Sequence, residues 1–159
     1  MLFIPRALLK QIADAAERAY PAEACGLLAG QVEQNGDLVV TRVVESENLA
    51  KEKGNDVFEL DPKVRFDLMR ALEGGPSRIL GLFHSHPDHP AQPSARDLEL
   101  AWEPELIWLI TAVEAGQAIQ TTAHVLDPGG QQFREIGLRT SDWQPYPSRD
   151  ALSWTQKKS

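Results

Sequence analysis

The chain has little cysteine and no long apolar segment. Its single cysteine, Cys25, cannot form a disulfide within the chain, which favours a cytoplasmic protein over a secreted one. The longest uncharged apolar run near the middle covers residues 106–113, whereas a membrane-spanning helix needs about 20 residues. The apolar start MLFIPRALLK is followed by Asp14 and Glu17 at helical spacing and predicts an amphipathic helix, not a secretory signal. We therefore expect no association with a membrane.

Positive charge is also scarce. The 159 residues include 16 Lys and Arg against 23 Asp and Glu, a formal net charge of −7, and the basic residues do not cluster. Proteins that bind nucleic acid neutralise phosphates with grouped basic side chains, so this class of function is not expected. Hydrophobic residues make up 42% and charged residues 25%, which is typical of one soluble globular domain of this length.

The first part of the chain predicts one helix followed by a hairpin. Apolar residues recur every three or four positions over residues 5–20, which is the period of a helix. Residues 24–30 form a short apolar run with glycines, as in a buried strand, and residues 38–44 are rich in β-branched side chains. Between them, Asn35-Gly36 is a typical two-residue hairpin turn, so the two strands are expected to pair antiparallel.

Helices and strands alternate along the rest of the chain. Asp61-Pro62 supplies an N-cap and a first helical residue for a helix that Gly74-Gly75-Pro76 ends. A short helix is predicted over 94–102, and strands are predicted over 78–84, 106–113, 119–125 and 132–136. Interleaved helices and strands with hairpins at both ends predict a single α/β domain with one mixed central β-sheet flanked by helices.

The last twenty residues break this pattern. We expect the folded domain to span residues 1–139 and a tail to span 140–159, with Trp143, Tyr146 and Trp154 among prolines and polar residues. The simpler interpretation is a segment that packs partly on the domain and is otherwise mobile. The alternative is an aromatic strip that docks on a partner or on a second copy of the chain.

Three of the four histidines lie within residues 84–97, a segment that ends at Asp97. His84 and His86 are two apart at the end of a predicted strand, so their side chains share a face and can converge on one ion. Asp97 lies in the first turn of the next predicted helix, from which a side chain can reach back toward that strand. Two imidazoles and one carboxylate leave a fourth tetrahedral position for water, as in catalytic zinc sites.

Each of these features also has a simpler explanation. A His-x-His pair often reflects hydrogen bonding or exposure, and Ser94-x-x-Asp97 is also the pattern of a helix capping box. His89 could replace Asp97 as the third ligand. Cys25 could in principle be a ligand or a nucleophile, but it lies in an apolar strand, where a free cysteine usually behaves as a small buried hydrophobe. The combination of residues and their spacing favour the metal site.

The pattern His84-x-His86, seven residues, then Ser94-x-x-Asp97 resembles the JAMM metalloprotease motif of the MPN domain family. Glu23, followed by the run CGLLAG at residues 25–30, resembles the strand that carries the catalytic glutamate of that family. The resemblance covers residues 1–137. It implies a single MPN-like domain of the compact, stand-alone bacterial type.

The resemblance also implies a role for each residue of the motif. His84, His86 and Asp97 would bind one zinc ion per chain. Glu23 would hold the attacking water, act as general base and pass the proton to the leaving amine. Ser94 would donate a hydrogen bond to the developing oxyanion. His89 would then be exposed or outside the ligand set.

Small bacterial members of the family are associated with ubiquitin-like sulfur-carrier proteins that end in Gly-Gly. The resemblance therefore implies a peptidase or isopeptidase that hydrolyses the amide bond after that Gly-Gly. Asp97 is followed so soon by the strand at Leu106 that no long insertion for gripping ubiquitin fits between them. Two alternatives remain open: a non-catalytic MPN scaffold that binds protein partners, and a peptidase whose substrate is unrelated to sulfur transfer.

Overall fold

The computed structural model describes residues 1–141, which form one β-sheet with helices on its two faces. The strands are β1 Leu2–Pro5, β2 Cys25–Val32, β3 Leu38–Ser46, β4 Arg78–Pro87, β5 Ile107–Glu114, β6 Gln117–Leu126, β7 Phe133–Ile136 and β8 Leu138–Ser141. The helices are α1 Arg6–Ala19, α2 Pro62–Leu72 and α3 Ala95–Leu100, with a short 3-10 turn at Lys51–Lys53. The sheet has the strand order β7-β6-β5-β4-β2-β3-β1-β8.

The sheet is mixed, which confirms the predicted α/β class. Strands β4 and β5 are parallel, as are the pairs β1–β3 and β1–β8, whereas the hairpins β2–β3 and β5–β6 are antiparallel. The connection between β4 and β5 contains α3, because parallel neighbours need a crossover. This crossover lies in the middle of the sheet and brings α3 back toward the end of β4.

Each face of the sheet packs against a helix. On one face, Ile12 and Ala15 of α1 pack with Leu28, Phe83 and other buried side chains of the sheet. On the other face, Leu68 of α2 packs with Leu82 of β4. Burial of such side chains is worth about 1.5–3 kcal/mol each. The α2 face is also the one that carries the polar cluster described below.

The predicted helix at the very start of the chain is wrong for its first residues, because Leu2–Pro5 form β1. Leu2 and Ile4 are both fully buried and point into the core on the α1 face. A four-residue apolar run has too few residues to distinguish a helix from a strand by periodicity. The pairing partners of β1 are β3 and β8, and β8 itself was not predicted.

Among the segment ends that differ from the sequence prediction, two affect the site and the tail. Strand β4 continues past His84 to Pro87, because β5 pairs with it in parallel as far as Pro87. Strand β8 includes Thr140 and Ser141, which the prediction assigned to the tail. The tail residues Trp143, Tyr146 and Trp154 lie outside the described residues. No helix within residues 1–141 is both long enough and apolar enough to cross a membrane.

Candidate metal centre

Strand β4 presents its two histidines on the α2 face of the sheet. His84 and His86 point to this face together with Leu82, while the intervening Ser85 points to the other. The Ser85 hydroxyl accepts a hydrogen bond of 2.7 Å from the backbone N–H of Ala24, which ties β4 to the start of β2. The alternation of a strand therefore brings two imidazoles together at the end of a central strand.

The side chains of His84, His86 and Asp97 converge on one point. The two Nε2 atoms are 3.0 Å apart, and the carboxylate oxygens of Asp97 lie 3.2 Å from Nε2 of His84 and 3.1 Å from Nε2 of His86. Ligands at about 2.05 Å from a tetrahedral zinc ion are separated by roughly 3.3 Å. All three residues are buried, with exposed fractions of 0%, 6% and 4%. The geometry therefore fits one small cation.

The tautomer of His86 is determined by the loop that follows β4. Nδ1 of His86 lies 2.8 Å from the carbonyl oxygen of Pro90. A carbonyl can only accept, so Nδ1 carries the proton and donates it. When the ring of His86 is neutral, its lone pair is therefore on Nε2, which faces the cluster. A metal-binding histidine usually donates its other N–H in this way, since the bond fixes the orientation of the ring.

Packing holds the ring of His84. Phe58 stacks on it at a centroid distance of 4.4 Å and an interplanar angle of 18°. The ring of Trp108 packs against it edge to face, with the ring centroids 5.5 Å apart. Its Nδ1 is buried and has no hydrogen-bond partner within residues 1–141. The ring of His84 is thus positioned by aromatic contacts, whereas that of His86 is positioned by a hydrogen bond.

The electrostatics of the cluster favour an ionised Asp97 and a neutral His84, whereas the pKa of His86 is raised. Burial lowers the pKa of His84, and Asp97 only partly opposes this shift. Burial alone would raise the pKa of Asp97, but hydrogen bonds from His84 and His86 outweigh it and hold that pKa well below its usual range. Burial also lowers the pKa of His86, yet its bonds to Asp97 and to the Pro90 carbonyl leave it raised overall. Bound metal requires ionised Asp and neutral His.

Ser94 and Asp97 form a capping box at the start of α3, as the simpler explanation of that pair predicted. Ser94 Oγ accepts from the backbone N–H of Asp97 at 3.0 Å, and Asp97 Oδ2 accepts from the backbone N–H of Ser94 at 2.9 Å. The two explanations are compatible, because Asp97 caps the helix and reaches the histidines with the same carboxylate. The hydroxyl hydrogen of Ser94 remains available to donate.

Glu23 lies beside the cluster with an unpaired oxygen. Its side chain is 4% exposed, and Oε1 is buried with no hydrogen-bond partner within residues 1–141. Burial raises its pKa to about 8, the charge of His86 opposes this shift, and Asp97 and Asp56 add to it. An unpaired buried carboxyl is costly, and carboxyls with a strongly raised pKa are common in active sites.

The position of Glu23 depends on Asn48, which the sequence reasoning did not assign to the site. The Nδ2 group of Asn48 donates to the carbonyls of Glu23 and Val57, both at 3.0 Å. Its Oδ1 accepts from the backbone N–H groups of Ala50 and Glu59 at 2.9 and 3.0 Å. One buried amide therefore ties the segment before β2 to the connection between β3 and α2.

The cavity above the cluster has a volume of about 410 Å³. Glu23 and His86 form its inner wall, and Ser94, Arg96 and Asp56 contribute to its walls. His89 also lines the cavity but is exposed, and its ring does not join the group of three ligand atoms. Cys25 is buried, as predicted, and burial raises the pKa of its thiol to about 12.

Residues 88–93, here called the site loop, are fixed at two further points. Asp88 accepts from the hydroxyl of Tyr20 at 2.6 Å and from the backbone N–H of Ala115 at 2.9 Å. The hydroxyl of Thr122 donates to the carbonyl of Ala91 at 2.5 Å and accepts from His124 Nε2 at 2.8 Å. Neither anchor was found from the sequence, since the partners are distant along the chain.

An α/β domain that holds a buried His-His-Asp cluster next to a buried glutamate has the arrangement of a metal-dependent hydrolase. The family model that describes prokaryotic homologs of the JAB domain matches residues 5–124. The chain belongs to this family, and the resemblance to the JAMM motif and MPN domain is confirmed.

Proteins with named activities are similar to the chain over most of its length. It is 34% identical to the desampylase of Haloferax volcanii over 118 residues, which are 74% of this chain and 78% of that protein. It is 30% identical to the CysO-cysteine peptidase of Mycobacterium tuberculosis over 112 residues, 70% of this chain and 73% of that one. A solved protein of Desulfitobacterium hafniense has 29% identity and a TM-score of 0.77, covering 91% of this chain and 95% of that chain.

Proposed function

We propose that the chain is a zinc peptidase that hydrolyses the amide bond after the C-terminal Gly-Gly of a small ubiquitin-like protein. The observation that carries this proposal is the convergence of His84, His86 and Asp97 beside a buried, unpaired oxygen of Glu23. The first three supply ligand atoms and the fourth supplies a proton acceptor. Such a combination is expected of an enzyme that activates water.

The donor set fits one zinc ion per chain. Two imidazole nitrogens and a carboxylate suit zinc and leave a fourth tetrahedral position open. Zinc bound there polarises a carbonyl and lowers the pKa of water to about 7. His84, His86 and Asp97 would hold it through Nε2, Nε2 and the carboxylate. His89 stays outside this set in our proposal, since its side chain is exposed.

Glu23 would move the proton during hydrolysis. Its Oε1 has no competing partner and is placed to accept a proton from the attacking water and then to donate it to the leaving nitrogen. Positioned proton transfer typically contributes about 10²–10⁴ in rate. Ser94 would donate its hydroxyl hydrogen to the oxyanion that develops on the scissile carbonyl. Its acceptor role in the capping box orients that hydroxyl without using its hydrogen.

The proposed substrate class rests on the relatives and on the size of the cavity. One relative is named a desampylase and another a CysO-cysteine peptidase. We take these names, together with the association of the family with ubiquitin-like carriers, to support a carrier protein as the substrate. A cavity of about 410 Å³ is near the small end of the range for small-molecule sites, roughly 300–1,000 Å³. A folded carrier must stay outside it, while a Gly-Gly tail has no side chains and can enter. We propose the cytoplasm as the compartment, which the single cysteine supports.

The alternative of a non-catalytic scaffold is less well supported. A scaffold has no need for a buried carboxyl whose pKa is raised to about 8 next to three convergent ligand atoms. Unpaired buried polar groups reduce stability, so they persist where function requires them. The other alternative keeps the same chemistry and changes the substrate to an isopeptide or a short peptide unrelated to sulfur transfer.

The test of this function is cleavage by zinc-loaded protein of a ubiquitin-like carrier that ends in Gly-Gly followed by one further residue. We expect mass spectrometry to show a product ending at the second glycine, and Glu23→Gln to lower the rate by about 10²–10⁴ while zinc stays bound. Cleavage by Glu23→Gln at the wild-type rate would refute the mechanism. Zinc binding without any cleavage by the wild type would favour the scaffold.

A further inference from the structure

One basic side chain in the cavity wall has no partner of its own. Arg96 lies in the first turn of α3, immediately before Asp97, and lines the same cavity as Glu23 and Ser94. Within residues 1–141, the side chain of Arg96 takes part in no hydrogen bond or ion pair. By contrast, the side chains of Arg18, Arg65 and Arg134 contact carboxylates at 2.6 to 3.4 Å. The guanidinium of Arg96 is therefore available to a ligand.

The cavity around Arg96 is otherwise acidic. Glu23 and Asp56 line it, and the carboxylate of Asp97 lies 3.1 Å from Nε2 of His86, which also lines it. Arg96 is the sole Lys or Arg among the lining residues. The positive charge of Arg96 lowers the pKa of Glu23, although it does not overcome the effect of burial. Arg96 thus lies close enough to influence the group that would move the proton. A substrate with a negative charge at this place needs such a cation, because the acidic side chains would repel it.

We propose that Arg96 binds the free α-carboxylate of the residue that follows the scissile bond. This inference rests on the proposed function and names the residue that would select, among its substrates, carriers whose Gly-Gly is extended by a single C-terminal amino acid. A guanidinium binds a carboxylate through two parallel hydrogen bonds, and charge-assisted bonds of this kind are the strong ones. A C-terminal carboxamide, or a lysine side chain joined through an isopeptide bond, offers no negative charge in the same position.

The reaction that this binding serves is ordinary hydrolysis. Water adds to the carbonyl of the second glycine, the carbon–nitrogen bond to the next residue breaks, and the leaving nitrogen takes up a proton through Glu23. The products are a carrier with a glycine carboxylate and one free amino acid. Arg96 holds the carboxylate of that amino acid, so it acts on substrate choice and not on the proton transfer.

The test compares three synthetic peptide substrates with zinc-loaded enzyme. The first ends in Gly-Gly-Ala as the free acid, the second is its C-terminal carboxamide, and the third joins Gly-Gly to the side-chain amine of lysine in an isopeptide bond. We expect the wild type to cleave the free acid with a kcat/KM about tenfold or more above that of the carboxamide. The isopeptide should resemble the carboxamide.

Variants separate this role from a structural one. Arg96→Ala should raise KM for the free acid by about tenfold or more and leave the carboxamide unchanged, which abolishes the preference. Arg96→Lys keeps the charge and should retain part of the preference. Arg42→Ala, at an exposed position on β3, is the matched control and should change neither substrate.

Several outcomes overturn the inference. Equal losses on both peptides in Arg96→Ala would mean that Arg96 acts on the structure or on the proton transfer. If the wild type does not distinguish the free acid from the carboxamide, carboxylate binding by Arg96 is refuted, but the proposed peptidase activity is not. If zinc-loaded wild type cleaves none of the three peptides and no carrier fusion either, the proposed function fails and this inference fails with it.

Discussion

The carbonyl oxygen of Pro90 lies 2.8 Å from Nδ1 of His86, and this hydrogen bond determines which nitrogen of His86 faces the metal centre. With one proton held on Nδ1, the neutral ring that a metal requires presents the lone pair of Nε2 toward His84 and Asp97. The orientation of one candidate ligand therefore depends on the backbone of the site loop. Residues that hold this loop should influence metal affinity although they do not contact the metal.

Thr122→Val tests this dependence. The substitution removes the hydroxyl that donates to Ala91 in the site loop and accepts from His124. We expect zinc affinity to fall by about tenfold to a hundredfold, as for other residues that support metal ligands. Competition with a chromophoric chelator measures it.

The matched control for this prediction is Thr121→Val. Thr121 shares a hydroxyl–hydroxyl hydrogen bond of 2.8 Å with Thr111, and within residues 1–141 its side chain has no hydrogen bond to the site loop. Thr121→Val should lower stability about as much as Thr122→Val and leave zinc affinity unchanged. Thr122→Ser keeps the hydroxyl and should retain most of the wild-type zinc affinity. Equal zinc affinity in Thr122→Val and Thr121→Val would contradict the proposed role of the loop.

Ser94→Gly separates the two roles of Ser94. Glycine is a tolerable N-cap, and replacing serine with it lowers stability by only about a few tenths of a kcal/mol. It cannot donate to an oxyanion, so kcat should fall by about 10²–10³. Thermal unfolding and kcat are measured on the same preparation. A large loss of stability with normal kcat would show that Ser94 is important only as a helix cap.

The raised pKa of Glu23 predicts a pH dependence of the zinc-free protein. Burial raises that pKa from 4.5 to about 8, so between these values the folded state binds more protons than the unfolded state. The contribution of Glu23 to stability therefore falls as the pH rises through this window and levels off above it. Glu23→Gln removes the titration.

Urea unfolding of chelator-treated protein below, within and above this window measures the effect. The free energy of unfolding of Glu23→Gln, relative to the wild type, should increase with pH across the window and then remain constant. A difference between the two proteins that does not change with pH would indicate that Glu23 has an ordinary pKa in the folded state.

Asn48→Asp tests the anchor of the segment before β2. An aspartate of similar shape keeps both acceptor bonds, to Ala50 and Glu59, but loses the donor bonds to the carbonyls of Glu23 and Val57. Because Asn48 is buried, we expect a loss of about 2 kcal/mol or more in the free energy of unfolding. Chemical denaturation measures it. An unchanged stability would mean that this amide does not hold Glu23 in place.

Local sequence signals predicted much of the fold. The helical period predicted α1, Asp61-Pro62 predicted the start of α2, and Asn35-Gly36 predicted the β2–β3 hairpin. The signals failed where an element depends on distant partners. Strand β1 is short and parallel to both of its neighbours, so its formation depends on packing that no local pattern reveals.

The candidate site shows the same division. His84 and His86 share a face because of strand alternation, and the capping box places Asp97 in the first turn of α3. These relations are local and could be predicted. The choice of Glu23 came from the resemblance to a family, since spacing alone cannot say which glutamate approaches the histidines. The contributions of Asn48 could not be predicted because its partners are far apart in sequence.

Zinc content per chain tests the central claim most directly. It is measured by metal analysis of purified protein that has been stripped and reloaded, with Asp97→Asn alongside. Asparagine can still accept from the backbone N–H of Ser94 and keep the helix cap, but it is a much weaker zinc ligand. We expect about one zinc per wild-type chain and a large loss in the folded variant. A wild type that binds no zinc, or a variant that retains it fully, would contradict the account.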